Sequence, residues 1–303
     1  MTAAEAVGVA YNDLDIFIGD EGCFSMMFDF SYTNFDIDES EDWFKRKEWT
    51  VEQYKELLFH SQTEIQKVGW SALFLENHDQ PRSIDKLIVN EKDRNYYSIT
   101  MIAAMYFFLR GTPFIYQGQE IGMCNCERKS INEFDDLHSH SQYYRAIEEG
   151  LTPEESLHYI NMRSRDNART PMQWNNQQYA GFSSYKPWIS LNPNYKEINV
   201  ESQIHDIQSV YNFYRKMIYI RQKSIASDTL IFGEFTPLKT KGTIIAYERC
   251  YQNIKVYVYC NFSNIAVPTV IQEGKVLLNN YSFVHFNELQ PYQTVIVFKD
   301  ILK

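Results

Sequence analysis

The sequence predicts an α/β fold built on parallel strands, followed by a small antiparallel β domain, and three observations carry that reading. Strand and helix signals alternate through the first two-thirds of the chain. The strands there are continuous apolar runs, as strands buried on both faces of a parallel sheet must be. Beyond residue 224 the apolar residues recur at every second position, the period of a strand with one buried face.

Taken in order, CFSMMFDF (23–30) is a compact apolar run bounded by Gly22. TVEQYKELLFHSQTEIQKVG (50–69) has helical spacing, with Thr50 as N-cap and Gly69 as the stop. WSALFLEN (70–77) reads as a second strand, and RNYYSITMIAAMYFFLRG (94–111) as an apolar helix closed by Gly111. TPFIYQGQEIG (112–122) is a third strand running into a glycine turn. Residues 123–206 are polar and turn-rich, which suits a long insertion over the C-terminal edge of the sheet, where loops form sites. DIQSVYNFYRKMIYIRQK (206–223) is an amphipathic helix, and GTIIAYERC, NIKVYVYCNFS and QTVIVFKD alternate as strands. The division is therefore 1–224, holding the α/β part with its insertion at 123–206, and 225–303 for the β domain.

Composition narrows the function. A chain of 303 residues with 44% hydrophobic content and only 12 Gly and 9 Pro folds around a sizeable core. Its net charge of −10 excludes a nucleic-acid surface, because that affinity rests on Lys and Arg neutralising phosphates. The acidic stretch NFDIDESED (34–42) reads as a solvated loop or helix start. Five cysteines do not make a disulfide framework at this size, and Cys124-x-Cys126 lacks a second ligand pair for zinc. Cys250 and Cys260 fall in strand-like runs and read as small hydrophobes. The longest apolar run, 99–109, has eleven residues, short of the roughly 20 a bilayer requires. The N-terminal residues do not resemble a signal peptide, so the expectation is a soluble, cytoplasmic protein without a membrane partner.

Chemistry concentrates in SALFLENHDQPRS (71–83), where a buried strand ends by presenting Asn77, His78, Asp79 and Arg82 within six residues. At the C-terminal end of a parallel strand such groups suit stabilisation of developing positive charge and recognition of hydroxyls. Equally, Asn77 caps a turn there and Asp79 pairs with Arg82 as a local network. RSRDNARTPMQW (163–174) carries Arg163, Arg165, Asp166 and Arg169, an ion-pair cluster suited to holding the insertion. Gln119 and Glu120 either reach the same face or cap the turn that follows them.

ENHDQPRS (76–83), GTPFIYQGQEIGM (111–123), SRDNARTPMQW (164–174), AGF and NPNYKEINV resemble the α-amylase superfamily, glycoside hydrolase family 13, in its oligo-1,6-glucosidase and α-glucosidase branch. The resemblance implies the C-terminal half of a (β/α)8 barrel, about strands five to eight, followed by a small antiparallel β-sandwich domain. It makes Asp79 the transition-state-stabilising aspartate, His78 a sugar-binding histidine and Arg82 an arginine closing the pocket. MTAAEAVGV (1–9) resembles the family's Thr-Val-Gly-Glu-Ala segment, departing at Ala3 and Ala4, and makes Glu5 the general acid/base. The nucleophilic aspartate of the family lies on the strand before that segment and has no match in this chain; Asp13, Asp15 and Asp29 have no motif behind them. The expectation is thus a glycosidase of short α-1,6- or α-1,4-linked glucosides, incomplete and inactive alone, needing no cofactor and no metal. Its partners are an oligosaccharide and the N-terminal half of the barrel. Trehalose-6-phosphate hydrolase and a non-catalytic interaction subunit are the alternatives.

Overall fold

The computed structural model describes residues 1–38 and 40–302. β1 (Ala3–Glu5) is followed by the short α1 (Leu14–Phe17) and by β2 (Met26–Phe28). α2 (Val51–Val68), β3 (Ser71–Leu73), α3 (Ser83–Leu87), α4 (Tyr96–Phe107) and β4 (Thr112–Pro113) complete a parallel sheet in the order β1-β2-β3-β4. Its register sets Glu5 beside Phe28, Phe28 beside Ala72, and Ala72 beside Thr112.

Local chemistry fixes the helices where the sequence predicts them. The Thr50 side chain accepts from the Gln53 amide while the Gln53 side chain accepts from the Thr50 amide, a reciprocal box that satisfies two otherwise orphaned donors of α2. Asn95 and Ser98 do the same for α4. α4 is buried along nearly its whole length because it lies between the parallel sheet and the β domain. Gly111 leaves α4 with φ +147°, and a Cβ there would sit 2.4 Å from the Ser71 carbonyl oxygen, so only glycine allows the chain to turn this tightly into β4.

The insertion contains α5 (Leu137–Glu148), α6 (Pro153–Arg163) and α7 (Val200–Gln203) among turns. α8 (Val210–Lys223) and α9 (Ser227–Phe232) lead into the β domain. There β5 (Glu234–Pro237), β6 (Ile244–Tyr251), β7 (Ile254–Asn261), β9 (Lys275–Asn279) and β11 (Thr294–Asp300) form an antiparallel sheet in the order β5-β6-β7-β11-β9. β8 (Val267–Pro268) and β10 (Glu288–Leu289) make a separate pair. The period of two has a direct cause. Ile245, Tyr247, Val256, Val258 and Ile296 face the helices of the α/β part, while Ile244, Ala246, Tyr257, Val295 and Val297 fill a second core on the other face. Among the described residues no helix is long and apolar enough to cross a membrane.

One expectation is corrected. The stretch 34–42 is not a solvated acidic loop: Asp36 is 1% exposed and Asp42 is fully buried. The Asp36 carboxylate takes Arg163 and Arg46 at 2.9 Å each, with Lys86 at 3.7 Å, and Asp42 takes Lys45 and Arg145 at 2.9 Å each. Glu39, in the same stretch, lies outside the described residues.

Candidate active site

The parallel strands deliver their chemistry at one edge. Glu5 ends β1, Asp29 follows β2 directly, and Asn77 to Asp79 follow β3. Glu5, Asp29, Asp79, Gln80, Trp43 and Arg165 are among the residues lining a cavity of about 540 Å³. A neighbouring cavity of about 250 Å³ is lined by Glu5 again, with Phe28, Phe74, His78, Phe114 and Tyr116. Asp13 and Asp15 are exposed and line neither.

Asp79 is held by its own turn and by the insertion. The Asn77 side chain accepts from the Asp79 amide at 2.8 Å, which bends the chain at the strand end. Arg169 donates Nη2 to Asp79 Oδ1 at 2.6 Å and Nε to the His78 carbonyl at 2.9 Å. Arg165 lies 3.5 Å from the same oxygen and binds Asp136 at 2.5 Å. Burial alone raises the Asp136 carboxyl, but hydrogen bonds from Arg165 and Ser139 more than offset it and hold it below the usual range. His78 Nε2 stands 3.5 Å from Asp79 Oδ2, with its ring largely open to the cavity.

Arg82 lies beneath the cavities, not among their lining. It is fully buried, donates to Glu76 at 3.0 Å, to the Gln117 carbonyl at 2.8 Å and to the Ala168 carbonyl at 3.4 Å, and stacks 5.5 Å from the Tyr116 ring centre. Its ion pair is therefore with Glu76 and not with Asp79. The Ala168 carbonyl also accepts from Tyr116 and from Gln117, both at 3.2 Å, so three side chains converge on the residue that precedes Arg169. Gln119 is a buried strut, donating to the hydroxyls of Tyr106 and Tyr214 at 3.1 and 3.0 Å. Glu120 is held above the usual carboxyl range by burial.

Sequence reasoning did not find the wall opposite Asp79. Tyr11 donates to Asp29 at 2.8 Å and contacts Ser31 at 3.1 Å, and the Ser31 amide donates to Asp29 at 2.9 Å. Trp43 packs against His138 at a tilt of 38° with ring centres 4.9 Å apart, and the Gln142 side chain accepts from the Trp43 amide at 3.0 Å. The cluster read at 163–169 does not pair internally. Arg163 goes to Asp36, Arg165 to Asp136, and Arg169 to Asp79. No signal within 34–42 marks this, because a run of carboxylates ordinarily faces solvent, and Arg145 and Arg163 lie over a hundred positions away from the carboxylates they pair.

A parallel β/α sheet with carboxylates and an imidazole gathered at its C-terminal end has the arrangement in which barrel enzymes build their sites. The sequence profile described as Alpha amylase, catalytic domain, matches residues 1–229, and the chain belongs to that family, glycoside hydrolase family 13. It is 36% identical over 304 residues to a probable oligo-1,6-glucosidase of Bacillus subtilis, covering 97% of this chain and 51% of that one. It is 35% identical over 254 residues to the glucan 1,6-alpha-glucosidase of Streptococcus pneumoniae, covering 83% of this chain and 46% of the relative. The crystal structure of Bacillus licheniformis trehalose-6-phosphate hydrolase superimposes with a TM-score of 0.90 at 31% identity, over 98% of this chain and 56% of that chain. The chain spans about half the length of the curated relatives it matches. Its fold is accordingly half of a (β/α)8 barrel with a β domain behind it.

Proposed function

We propose that the chain supplies the acid/base and charge-stabilising side of a retaining α-glucosidase site, acting on short α-1,6- or α-1,4-linked oligosaccharides. The observation that carries this reading is Glu5 and Asp79 lining one cavity from the ends of two parallel strands. Retaining glycosidases use one carboxyl group to protonate the leaving oxygen and a second, roughly 5 Å away, to attack the anomeric carbon. In this reading Glu5 protonates the leaving group and then draws the proton from the incoming water. Asp79, oriented by Arg169, sets negative charge beside the ring as it becomes oxocarbenium-like. His78 binds a sugar hydroxyl, and Arg82 acts as a positioning residue through Ala168. The attacking carboxylate has no matched residue in this chain, and the reading assigns it to the complementary side of the barrel. The catalytic part is residues 1–224 with the insertion at 123–206, and the β domain is 225–303.

A neutral substrate suits the cavity better than a phosphorylated one. Glu5, Asp29, Asp38, Glu41 and Asp79 line it, and its two arginines are already engaged, Arg163 by Asp36 and Arg165 by Asp136. A phosphate entering there meets a lining with more carboxylates than cations. This favours an oligosaccharide over trehalose 6-phosphate.

Release of p-nitrophenol from p-nitrophenyl α-glucoside tests the proposal, with Glu5→Gln as the control. The expected result is no turnover by residues 1–303 alone, and turnover once the other barrel half is supplied, lost in Glu5→Gln. Turnover that survives Glu5→Gln overturns the assignment of the acid. Turnover by the 303-residue chain alone, abolished in that variant, shows that a carboxylate of this chain attacks.

A further inference from the structure

Four rings follow one another across the junction of α4 with the β domain. Tyr97, in the first turn of α4, stacks on Tyr281 with ring centres 4.3 Å apart and planes at 30°. Tyr281 meets Phe283 edge-on at 5.9 Å, and Phe283 meets His285 at 4.9 Å. Tyr97 is 39% exposed and Phe283 44%, and His285 is exposed as well. Of the residues between them, Ser282 is exposed and polar, while Val284 packs on the second core of the β domain. None of the four rings lines either cavity described above, so the row is separate from the candidate active site.

The loop between β9 and β10 carries three of the rings, and buried amides restrain it. Asn279 donates to the Tyr281 and Phe283 carbonyls at 2.8 and 2.7 Å. Gln293, fully buried, donates to the Phe283 carbonyl at 3.0 Å and to Asn279 Oδ1 at 2.9 Å. Asn280, also buried, donates to the Tyr97 carbonyl at 3.1 Å and to the Thr100 hydroxyl at 3.0 Å, which bolts the loop to α4. Rings on a chain held in this way lose little freedom when a ligand covers them.

Size and charge decide what that ligand is. An aromatic side chain offers roughly 150–250 Å², so a row with about two-fifths of that bare presents on the order of 300 Å². A stable protein pair buries roughly 800 Å² on each partner, so a second protein needs far more than this strip. No Lys or Arg occurs between Lys275 and Lys299, and Arg94, the cation nearest Tyr97 in sequence, is held by Asp85 at 2.8 Å. An anionic polymer therefore finds no row of cations here. We propose that the four rings form a second carbohydrate-binding site, a platform for a neutral glucan chain. The apolar C–H faces of its sugars lie on the rings and its hydroxyls face water. The proposal takes its ligand class from the α-glucosidase reading, and adds a place where a longer chain of the same sugar is held away from the reacting atoms.

Electrophoresis of the 303-residue chain through native gels cast with dextran or with soluble starch tests this, since a net charge of −10 carries the chain through the gel. The expected result is a mobility at least halved by one of the two polysaccharides relative to a plain gel. Phe283→Ala with His285→Ala should restore the plain-gel mobility and leave circular dichroism unchanged, because both side chains are exposed and the loop is held through its backbone. Glu5→Gln should be retarded like the wild type. Retardation that survives the double substitution, or that Glu5→Gln abolishes, places the sugar in the catalytic cavity and overturns the proposal. Full mobility of the wild type in both gels also overturns it, as does a dimer that the double substitution dissolves, which names a second copy as the occupant. Retardation by the platform, with no turnover of p-nitrophenyl α-glucoside once the other barrel half is supplied, removes the α-glucosidase reading alone. Turnover without retardation removes the platform alone.

Discussion

Arg169 binds the Asp79 carboxylate at 2.6 Å and the carbonyl of the preceding residue, His78, at 2.9 Å. One planar guanidinium thus fixes both the direction of a carboxylate and the peptide that carries it, from ninety positions further along the chain. A lysine reaches only one of those acceptors at a time. In the assembled enzyme, Arg169→Lys should lower kcat/KM by ~10-fold or more, the equivalent of the roughly 1.5–3 kcal/mol of a charged hydrogen bond. The melting temperature should barely move, because the pair is about one-third exposed and such pairs contribute about 0–1 kcal/mol. A melting temperature that falls in step with activity sinks the positioning role.

Asp36 makes the opposite prediction, a large effect on stability. Three cations, Arg46, Arg163 and Lys86, converge on this buried carboxylate and tie the loop after β2 to α3 and to the end of α6. Asp36→Asn leaves those cations without their counter-charge, and removal of one partner from a buried pair costs about 3–5 kcal/mol. Urea unfolding at pH 7 should show a correspondingly lower midpoint. Burial raises the Asp36 carboxyl, but the three cations outweigh it and hold it below the usual range. Its stabilising effect is therefore complete above the ordinary carboxylate pKa of about 3.9 and is lost as pH falls through the lower folded value. Below pH 4 the wild type should lose stability more steeply than Asp36→Asn.

The cysteines give a prediction that separates packing from chemistry. Burial pushes the Cys124 thiol to about 11 and the Cys260 thiol to about 12, and it also raises Cys126. Thiolate is the reactive form, so these three should resist DTNB at pH 8 until the chain is unfolded. Cys23 is exposed and should titrate at once. Cys124 is only half-buried, so its resistance rests on its raised pKa, and prompt labelling of it in the native chain contradicts that rise.

How far the sequence foretold this structure depends on the range of each interaction. The capping of α2 by Thr50 and Gln53 spans three residues, and the alternation of β6 and β7 is a local period, so both were legible. The fate of Asp36 was not, because Lys86 and Arg163 lie 50 and 127 positions away and nothing in 34–42 announces them. Arg82 shows the same limit. Its motif resembles a pocket residue, but its side chain turns inward to Glu76, six residues before it, and to the carbonyls of Gln117 and Ala168, which lie 35 and 86 positions away and are not announced by the motif.

Arg249 tests whether the two parts unfold as one. It projects from β6 into the interface and donates to the Phe108 carbonyl at 2.8 Å, to Leu230 at 3.0 Å and to Gly233 at 2.7 Å. These are carbonyls at the C-terminal ends of α4 and α9, where helix polarity favours a cation. Burial and the neighbouring Arg221 push the guanidinium pKa downward, so the carbonyls must compensate a charge held out of water. Arg249→Met keeps the apolar stem and abandons several buried carbonyls, each costing about 1–3 kcal/mol when left unpaired. The expected outcome is a destabilised junction, in which the antiparallel β domain and the α/β part lose their common transition. Hydrogen exchange followed across rising urea should then show α4 opening before β6 and β7 in Arg249→Met, and together with them in the wild type. Joint opening in both proteins assigns the coupling to the apolar contacts of the shared core and not to this arginine.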